Sequence, residues 1–106
     1  MRLIGLDPGL RLTGWGVIDV DGNRLRHVAH GAVKIPGDQS LAERLCALFE
    51  AIAAVVAAQQ PTEAAVEETF VNVNPGSTLK LGQARGVVML APAQAGLPVL
   101  DRKSVV

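Results

Sequence analysis

Two acidic residues stand where short apolar segments end, and together they could bind a metal ion. Asp7 follows the apolar residues 2–6 and precedes a Pro-Gly turn, and Glu67 follows the apolar residues 64–66. If these segments are neighbouring strands, the two carboxylates meet at one edge of a sheet, where a divalent cation would relieve their repulsion. This is the usual logic of a metal-dependent nuclease site. The ordinary alternatives are a turn aspartate that bonds its own backbone and a solvated glutamate.

Further side chains near this pair could contact a nucleic acid. Phe70 lies in a polar loop, where an exposed ring could stack on a base or wedge between base pairs; the alternative is a ring that anchors its loop to the core. Lys80 and Arg85 are candidates for phosphate contacts, or else ordinary solvated charges. Glu68 is interpreted as a solvated residue on the opposite face of its strand from Glu67.

Gly82 and Gly86 lie four residues apart in a segment with helical spacing, so they share one helix face. Each glycine weakens a helix by about 1 kcal/mol relative to alanine, and close approach of another helix would offset this cost. The partner is either the predicted helix over residues 41–59 or the same helix of a second subunit.

Three other side chains that can bind metals are given other roles, and the two histidines among them are interpreted as structural or solvent-facing. His27 and His30 lie three residues apart on a predicted strand, so we expect them on opposite faces, which is poor spacing for one metal ion. Cys46 lies inside an apolar helical pattern and is expected to be a small core residue.

Seven predicted elements would position these residues. Strands are expected at residues 2–6, 14–20, 25–35, 64–67 and 97–100, with an Asp-Gly turn between the second and the third. A capping-box sequence from Ser40 to Glu43 starts a helix over residues 41–59, and a second helix is expected over 77–95 with Gly96 beyond its end. The order β-β-β-α-β-α-β implies an α/β fold in which helices pack on a mixed sheet.

Length and composition favour one domain in these 106 residues, and ten basic and ten acidic side chains leave no net charge. A nucleic-acid binder usually has a basic excess or patch, so any DNA contact must come from a local cluster or from residues outside this chain. The single cysteine excludes an internal disulfide, and no apolar run is long enough for a signal peptide or a membrane span. The expected location is cytoplasmic.

Three segments taken together resemble the RuvC family closely. The sequence IGLDPGLRLTGWGVI at residues 4–18 looks like its first-strand signature, and AVEETF at 65–70 is similar to the block that holds its second metal-binding acid. LKLGQARGV at 79–87 matches the family's dimer-forming helix. The first segment alone would also fit actin-like kinases and other RNase H-like proteins. Three segments in order, covering nearly the whole chain up to about Leu100, are much more specific.

The resemblance implies an RNase H-like fold and a homodimer with two active sites. It implies Mg²⁺-dependent hydrolysis of phosphodiester bonds at symmetric points of a four-way Holliday junction, in recombination and repair. It also implies two Mg²⁺ ions per active site, for which Mn²⁺ can substitute, and a branch-migration motor as a further partner. Asp7 and Glu67 would be the catalytic metal ligands, Phe70 would contact DNA near the crossover, and Gly82 and Gly86 would lie in the dimer interface.

The resemblance further implies two more acidic ligands on a helix near the C-terminus of family members. No such helix follows here, Asp101 matches neither acid, and family members carry extra residues at about the position between Asp101 and Arg102. Residues 1–106 are therefore expected to form a single domain that lacks its C-terminal part. Two other interpretations stay open. One is a non-catalytic dimeric DNA-binding fragment of the same fold, and the other is an actin-like ATPase or kinase, although no second phosphate loop or adenosine pocket is visible.

Overall fold

In the part of the chain that the structure describes, five strands form one mixed sheet in the order β3-β2-β1-β4-β5, and two helices pack on it. The computed structural model describes residues 1–9, 11–68 and 75–103. The strands are β1 (Arg2–Asp7), β2 (Leu12–Asp21), β3 (Arg24–Lys34), β4 (Glu63–Glu68) and β5 (Val99–Lys103), and the helices are α1 (Leu41–Gln59) and α2 (Pro75–Gln94). The predicted order of elements and the α/β class are confirmed.

The sheet combines an antiparallel meander with two parallel pairings. β1, β2 and β3 pair antiparallel, whereas β4 lies parallel to β1 and β5 lies parallel to β4. Gly22 has a φ of 59° in the turn between β2 and β3. Because glycine adopts a positive φ readily, the Asp-Gly pair predicted this hairpin correctly. Parallel strands need a crossover, and α1 provides it between β3 and β4. This crossover brings the end of β4 beside the end of β1.

Helix α1 has the predicted bounds because both of its ends are capped. The Ser40 hydroxyl accepts a hydrogen bond from the Glu43 N–H at 3.2 Å, and the Glu43 carboxylate accepts one from the Ser40 N–H at 3.3 Å. This is the predicted capping box. At the other end Gln60 turns left-handed, with a φ of 54°, and its N–H bonds the carbonyl of Val56.

The structure corrects several predicted boundaries. Helix α2 begins at Pro75, two residues before the predicted start, because proline fits the first turn of a helix, where its missing N–H has no partner. Gly96 follows the end of α2 with a φ of 89°, as predicted for a helix-terminating glycine. Strand β5 begins after Pro98 and continues to Lys103, whereas residues 97–100 were expected.

The core lies between one face of the sheet and the two helices. Ile4, Val17 and Val66 from the sheet and Ile52 and Val88 from the helices are fully buried there. Since side chains alternate along a strand, the residues between these positions face the other side of the sheet. Within the part of the chain that the structure describes, neither helix combines the length and apolarity needed to cross a bilayer.

Candidate metal centre

The ends of β1 and β4 bring two carboxylates together. The two strands run parallel, and their register pairs Ile4 with Ala64 and Leu6 with Val66. Asp7 and Glu67 are the next residue on each strand, so they lie side by side where the two strands end. The meeting of these two acids at one edge of the sheet was predicted from the apolar segments before them, and the geometry confirms it.

Both carboxylates belong to the face of the sheet that points away from the helices. Leu6 and Val66 are buried against the helices, and the residues that follow them point to the opposite side. Asp7 is exposed and Glu67 is half-buried. Glu68 has the strand parity of Val66, so it lies on the other face from Glu67, as predicted.

The electrostatics at this edge are those of two like charges without a counter-ion. The pKa of Asp7 is raised from its ordinary value of 3.8, first because the carboxyl is partly desolvated and second because of the negative charge of Glu67. Among the described side chains, no ion pair includes either carboxylate. Hard oxygen donors with unrelieved repulsion fit a divalent cation such as Mg²⁺.

The turn after Asp7 is organised by a residue that no sequence pattern singled out. Thr13 is buried, and its hydroxyl lies 3.3 Å from both the N–H and the carbonyl oxygen of Gly9. Gly14 is the partner of Asp7 across β1 and β2, and a Cβ there would lie 3.9 Å from the Asp7 Cβ. The turn is therefore closed by Thr13, while Gly14 leaves the space beside Asp7 free of a side chain.

Arg85 is not an ordinary solvated charge, which was one of the two roles that the sequence suggested for it. Its guanidinium forms an ion pair with Asp101, and its Nε donates to the Glu67 carbonyl oxygen at 3.4 Å. The Arg85 side chain is only 19% exposed. It thus ties α2 to the ends of β4 and β5, beside the carboxylate pair. This ion pair joins residues far apart in the sequence, and no local pattern signals it.

The other proposed DNA contacts differ in what the structure shows of them. Lys80 is exposed near the start of α2. Phe70 lies outside the described residues. Gly82 and Gly86 are both exposed, and a Cβ built on either would meet nothing within 4 Å. Contact with α1, one of the two explanations for these glycines, is therefore wrong.

The predicted placement of the two histidines on opposite faces is wrong, whereas their predicted exposure to solvent is confirmed, and the core prediction for Cys46 is wrong. His27 and His30 lie on the same face of β3, because a bulge opposite the Val17/Ile18 step inserts one extra residue between them. Cys46 is exposed rather than in the core, because it lies off the buried face of α1 and its thiol donates to Glu50 at 3.5 Å. Within residues 1–9, 11–68 and 75–103, no cluster of three or more His, Cys, Asp or Glu could hold a metal ion.

The family model described as "Crossover junction endodeoxyribonuclease RuvC" matches residues 3–104. A crossover junction endodeoxyribonuclease RuvC of Paramagnetospirillum magneticum is 66% identical over 99 residues, which are 93% of this chain and 60% of that protein. The one from Azorhizobium caulinodans is 62% identical over 112 aligned positions, covering 100% of this chain and 66% of the relative. Because this chain has 106 residues, at least six of those positions have no counterpart in it.

Among solved structures, Thermus thermophilus RuvC "in complex with Holliday junction substrate" superposes with a TM-score of 0.85 at 29% identity. That match covers 97% of this chain and 64% of the Thermus chain. The chain thus spans between three fifths and two thirds of the length of these relatives. The same matches support the RNase H-like form of the α/β fold.

Proposed function

Because this chain belongs to the RuvC family, we propose that it forms the catalytic part of a DNA endonuclease that resolves four-way Holliday junctions by metal-dependent phosphodiester hydrolysis. The observation that carries the proposal is the pair of carboxylates of Asp7 and Glu67 at the ends of two parallel strands. The Thermus RuvC, solved in complex with a Holliday junction substrate, supports junction DNA as the partner.

In this proposal Asp7 and Glu67 are the catalytic metal ligands that this chain supplies. A divalent cation bound there would activate water and stabilise the leaving oxygen. The closed turn from Gly9 to Thr13 fixes the strand end that carries Asp7, and Arg85 holds the backbone at Glu67. Further acidic ligands are expected in the part of the relatives that has no counterpart here. Two Mg²⁺ ions per site, with Mn²⁺ as a substitute, stay a prediction.

For DNA contacts we propose Lys80, which is exposed, and Phe70, which precedes α2 in the sequence. Arg85 was a third candidate. To reach a phosphate it would have to leave Asp101, so its present geometry supports a positioning role beside Glu67 instead. The branch-migration motor and the cytoplasmic location rest on the resemblance and the composition, and both stay predictions.

The cleavage test uses Asp7→Asn in the complete gene product that contains these residues. Removing an outer-sphere partner of a metal ligand already costs about 10- to 100-fold in activity, so loss of a direct ligand should cost more than about 100-fold. Junction binding without Mg²⁺ should be equal or slightly tighter, since it rests on phosphate contacts and a negative charge is removed. Cleavage of one four-way junction in Mg²⁺ and a gel shift without it measure the two effects.

The matched control is Glu63→Gln, which removes a carboxylate from the opposite end of the strand that carries Glu67 and should cut normally. Cleavage near the wild-type rate by Asp7→Asn would remove this residue from the active site. Equal loss of binding and cleavage would make it a structural residue. The 106-residue chain alone is expected to cut weakly or not at all, because it supplies only part of the implied ligand set.

We also propose that α2 is the homodimer helix. Gly82 and Gly86 lie on its exposed side together with Leu79 and Leu90, which are 65% and 52% exposed. No atom of the described part of this chain approaches the glycines closely enough to explain them. A second copy of the helix would bury the leucines and use the glycines for close contact.

The dimer test is Gly86→Leu, measured by sedimentation velocity at micromolar concentration. Leucine favours a helix more than glycine does by about 0.8 kcal/mol, so a monomeric product would not reflect unfolding of α2. Ala54→Leu places the same side chain on the exposed side of α1 and should leave the dimer intact. A wild-type protein that is monomeric under these conditions would refute the interface.

A further inference from the structure

A pair of histidines on β3 lies apart from the candidate metal centre. The Nε2 atom of His27 lies 2.9 Å from the Nδ1 atom of His30. The ring centroids are 5.0 Å apart and the ring planes are inclined by 55°. Both side chains are exposed, and these are the only two histidines of the chain. The two imidazoles are hydrogen-bonded to each other, and their nitrogens are close enough together to bind one ion after the rings rotate.

The pair exists because of the bulge in β3. Val17 pairs with Ala29, but the next residue of β2, Ile18, pairs with His27, so Val28 is the extra residue. In a regular strand, side chains three residues apart point to opposite faces, and the bulge brings these two to the same face. His30 lies opposite Gly16, which has no side chain and leaves open space beside the imidazole.

The separation of the two nitrogens matches neighbouring positions around a metal ion. Metal–imidazole bonds are about 2.0–2.1 Å long, so two nitrogens at a right angle around the ion lie about 2.9 Å apart, whereas a tetrahedral angle needs about 3.4 Å. In the metal-free pair, one of the two nitrogens carries a proton that it shares with the other. When that imidazole takes its other neutral tautomer, both nitrogens have a free lone pair, and rotation of the two exposed rings can aim these lone pairs at one ion without loss of a proton.

We propose that His27 and His30 form a two-histidine site for Ni²⁺ or Cu²⁺, with water completing the coordination. The right-angled arrangement favours these ions over Zn²⁺, which prefers a tetrahedral set. The site shares no residue with Asp7 and Glu67, and β2 separates β3 from β1, so the two strands are about 10 Å apart. Imidazole nitrogens and carboxylate oxygens also select different metals. The proposal is therefore independent of the proposed nuclease activity.

The test is isothermal titration of the chain with NiCl₂ in the presence of millimolar Mg²⁺, which occupies the carboxylates. We expect one Ni²⁺ per chain, and binding weakened about tenfold or more in His27→Gln and in His30→Gln, because either change leaves one donor without its chelate partner. Electron paramagnetic resonance of the Cu²⁺-loaded chain should show two imidazole nitrogen donors. Both histidines are exposed, so the variants should fold, which circular dichroism checks.

Three control variants separate this site from other donors. Asp7→Asn, Cys46→Ser and Lys34→Gln should each bind Ni²⁺ as the wild type does, since they remove a carboxylate, a thiol and an exposed charge of the same strand. Wild-type affinity in either histidine variant would overturn the proposal. So would loss of binding in Asp7→Asn or Cys46→Ser, a single nitrogen in the Cu²⁺ spectrum, or no binding at millimolar Ni²⁺.

Discussion

Two aspartates, one beside each end of β1, lie in opposite electrostatic environments. At its start, Arg2 binds Asp19 of β2 through two hydrogen bonds of 2.8 and 3.1 Å, and Arg26 of β3 adds a third of 2.7 Å. These contacts lower the pKa of Asp19 to about 2, with the hydrogen bond from Arg2 as the largest cause. At the end of β1, the pKa of Asp7 is raised by desolvation and by the negative charge of Glu67, and no described side chain forms an ion pair with Asp7.

The difference shows at which end the carboxylates find partners among the described side chains. The guanidinium of Arg2 also donates to the carbonyl oxygen of Gln59 at the end of α1, so this cluster links β1, β2 and α1 and pairs the Asp19 carboxylate with two cations. The end with Asp7 and Glu67 has its negative charges unmatched among the described side chains. A cluster that satisfies itself stabilises the fold, whereas a repulsive pair costs stability until a cation binds. The asymmetry separates a structural end of the sheet from the end that holds the proposed metal site.

The largest expected effect is the change in stability when a cation binds at the proposed metal site. A ligand at one hundred times its dissociation constant stabilises the folded state by about 2.7 kcal/mol. Saturating Mg²⁺ or Mn²⁺ should therefore raise the melting temperature of the chain, and Asp7→Asn or Glu67→Gln should remove most of that rise. Asp19→Asn should retain it, because Asp19 lies at the other end. Differential scanning fluorimetry measures the melting temperatures. An equal rise in all four proteins would show that the ion binds elsewhere.

A smaller effect, of opposite sign at the two ends, is expected without metal. Asp7→Asn should raise the melting temperature in EDTA at pH 7, because it removes the repulsion with Glu67 and the cost of a partly desolvated charge. Asp19→Asn should lower it, because it replaces a charge-assisted acceptor of two arginines with a neutral amide. The two variants carry the same chemical change in the same sheet. Destabilisation by both would mean that Asp7 is held by contacts beyond the pair.

The sequence predicted the pair of Asp7 and Glu67 but not the pair of Arg2 and Asp19, for a physical reason. Asp7 and Glu67 each follow an apolar strand, so strand parity and a parallel pairing suffice to bring them together. The resemblance of three segments then supplied the fold, which the comparison with solved structures supports. Arg2 and Asp19 gave no such signal, because their pairing depends on the register of a hairpin.

The two histidines show where strand periodicity fails. His27 and His30 were placed on opposite faces, and the bulge at Val28 reversed this. The bulge residue is a valine, a residue common at any position of a strand, so it leaves no mark in the pattern of the sequence. The ion pair of Arg85 with Asp101 was missed for the related reason that it joins α2 to β5, and local spacing does not report contacts between distant elements.

The smallest expected effect is the pH dependence of the same two variants, and it carries the sharpest sign test. The Asp19 pKa falls from 3.8 in the unfolded chain to about 2 in the folded protein, so Asp19 contributes stability above pH 4 that is lost as the pH falls towards 2. The deficit of Asp19→Asn should therefore shrink over that range. The Asp7 pKa is raised, so the folded metal-free protein binds this proton more tightly than the unfolded chain, and its stability falls as the pH rises above 3.8. The gain of Asp7→Asn should accordingly be absent in acid and appear above about pH 4. Urea unfolding in EDTA between pH 2.5 and 7 measures both differences against the wild type. Differences that stay constant across this range would mean that neither aspartate changes its proton affinity on folding, and the electrostatic contrast between the two ends of β1 would be refuted.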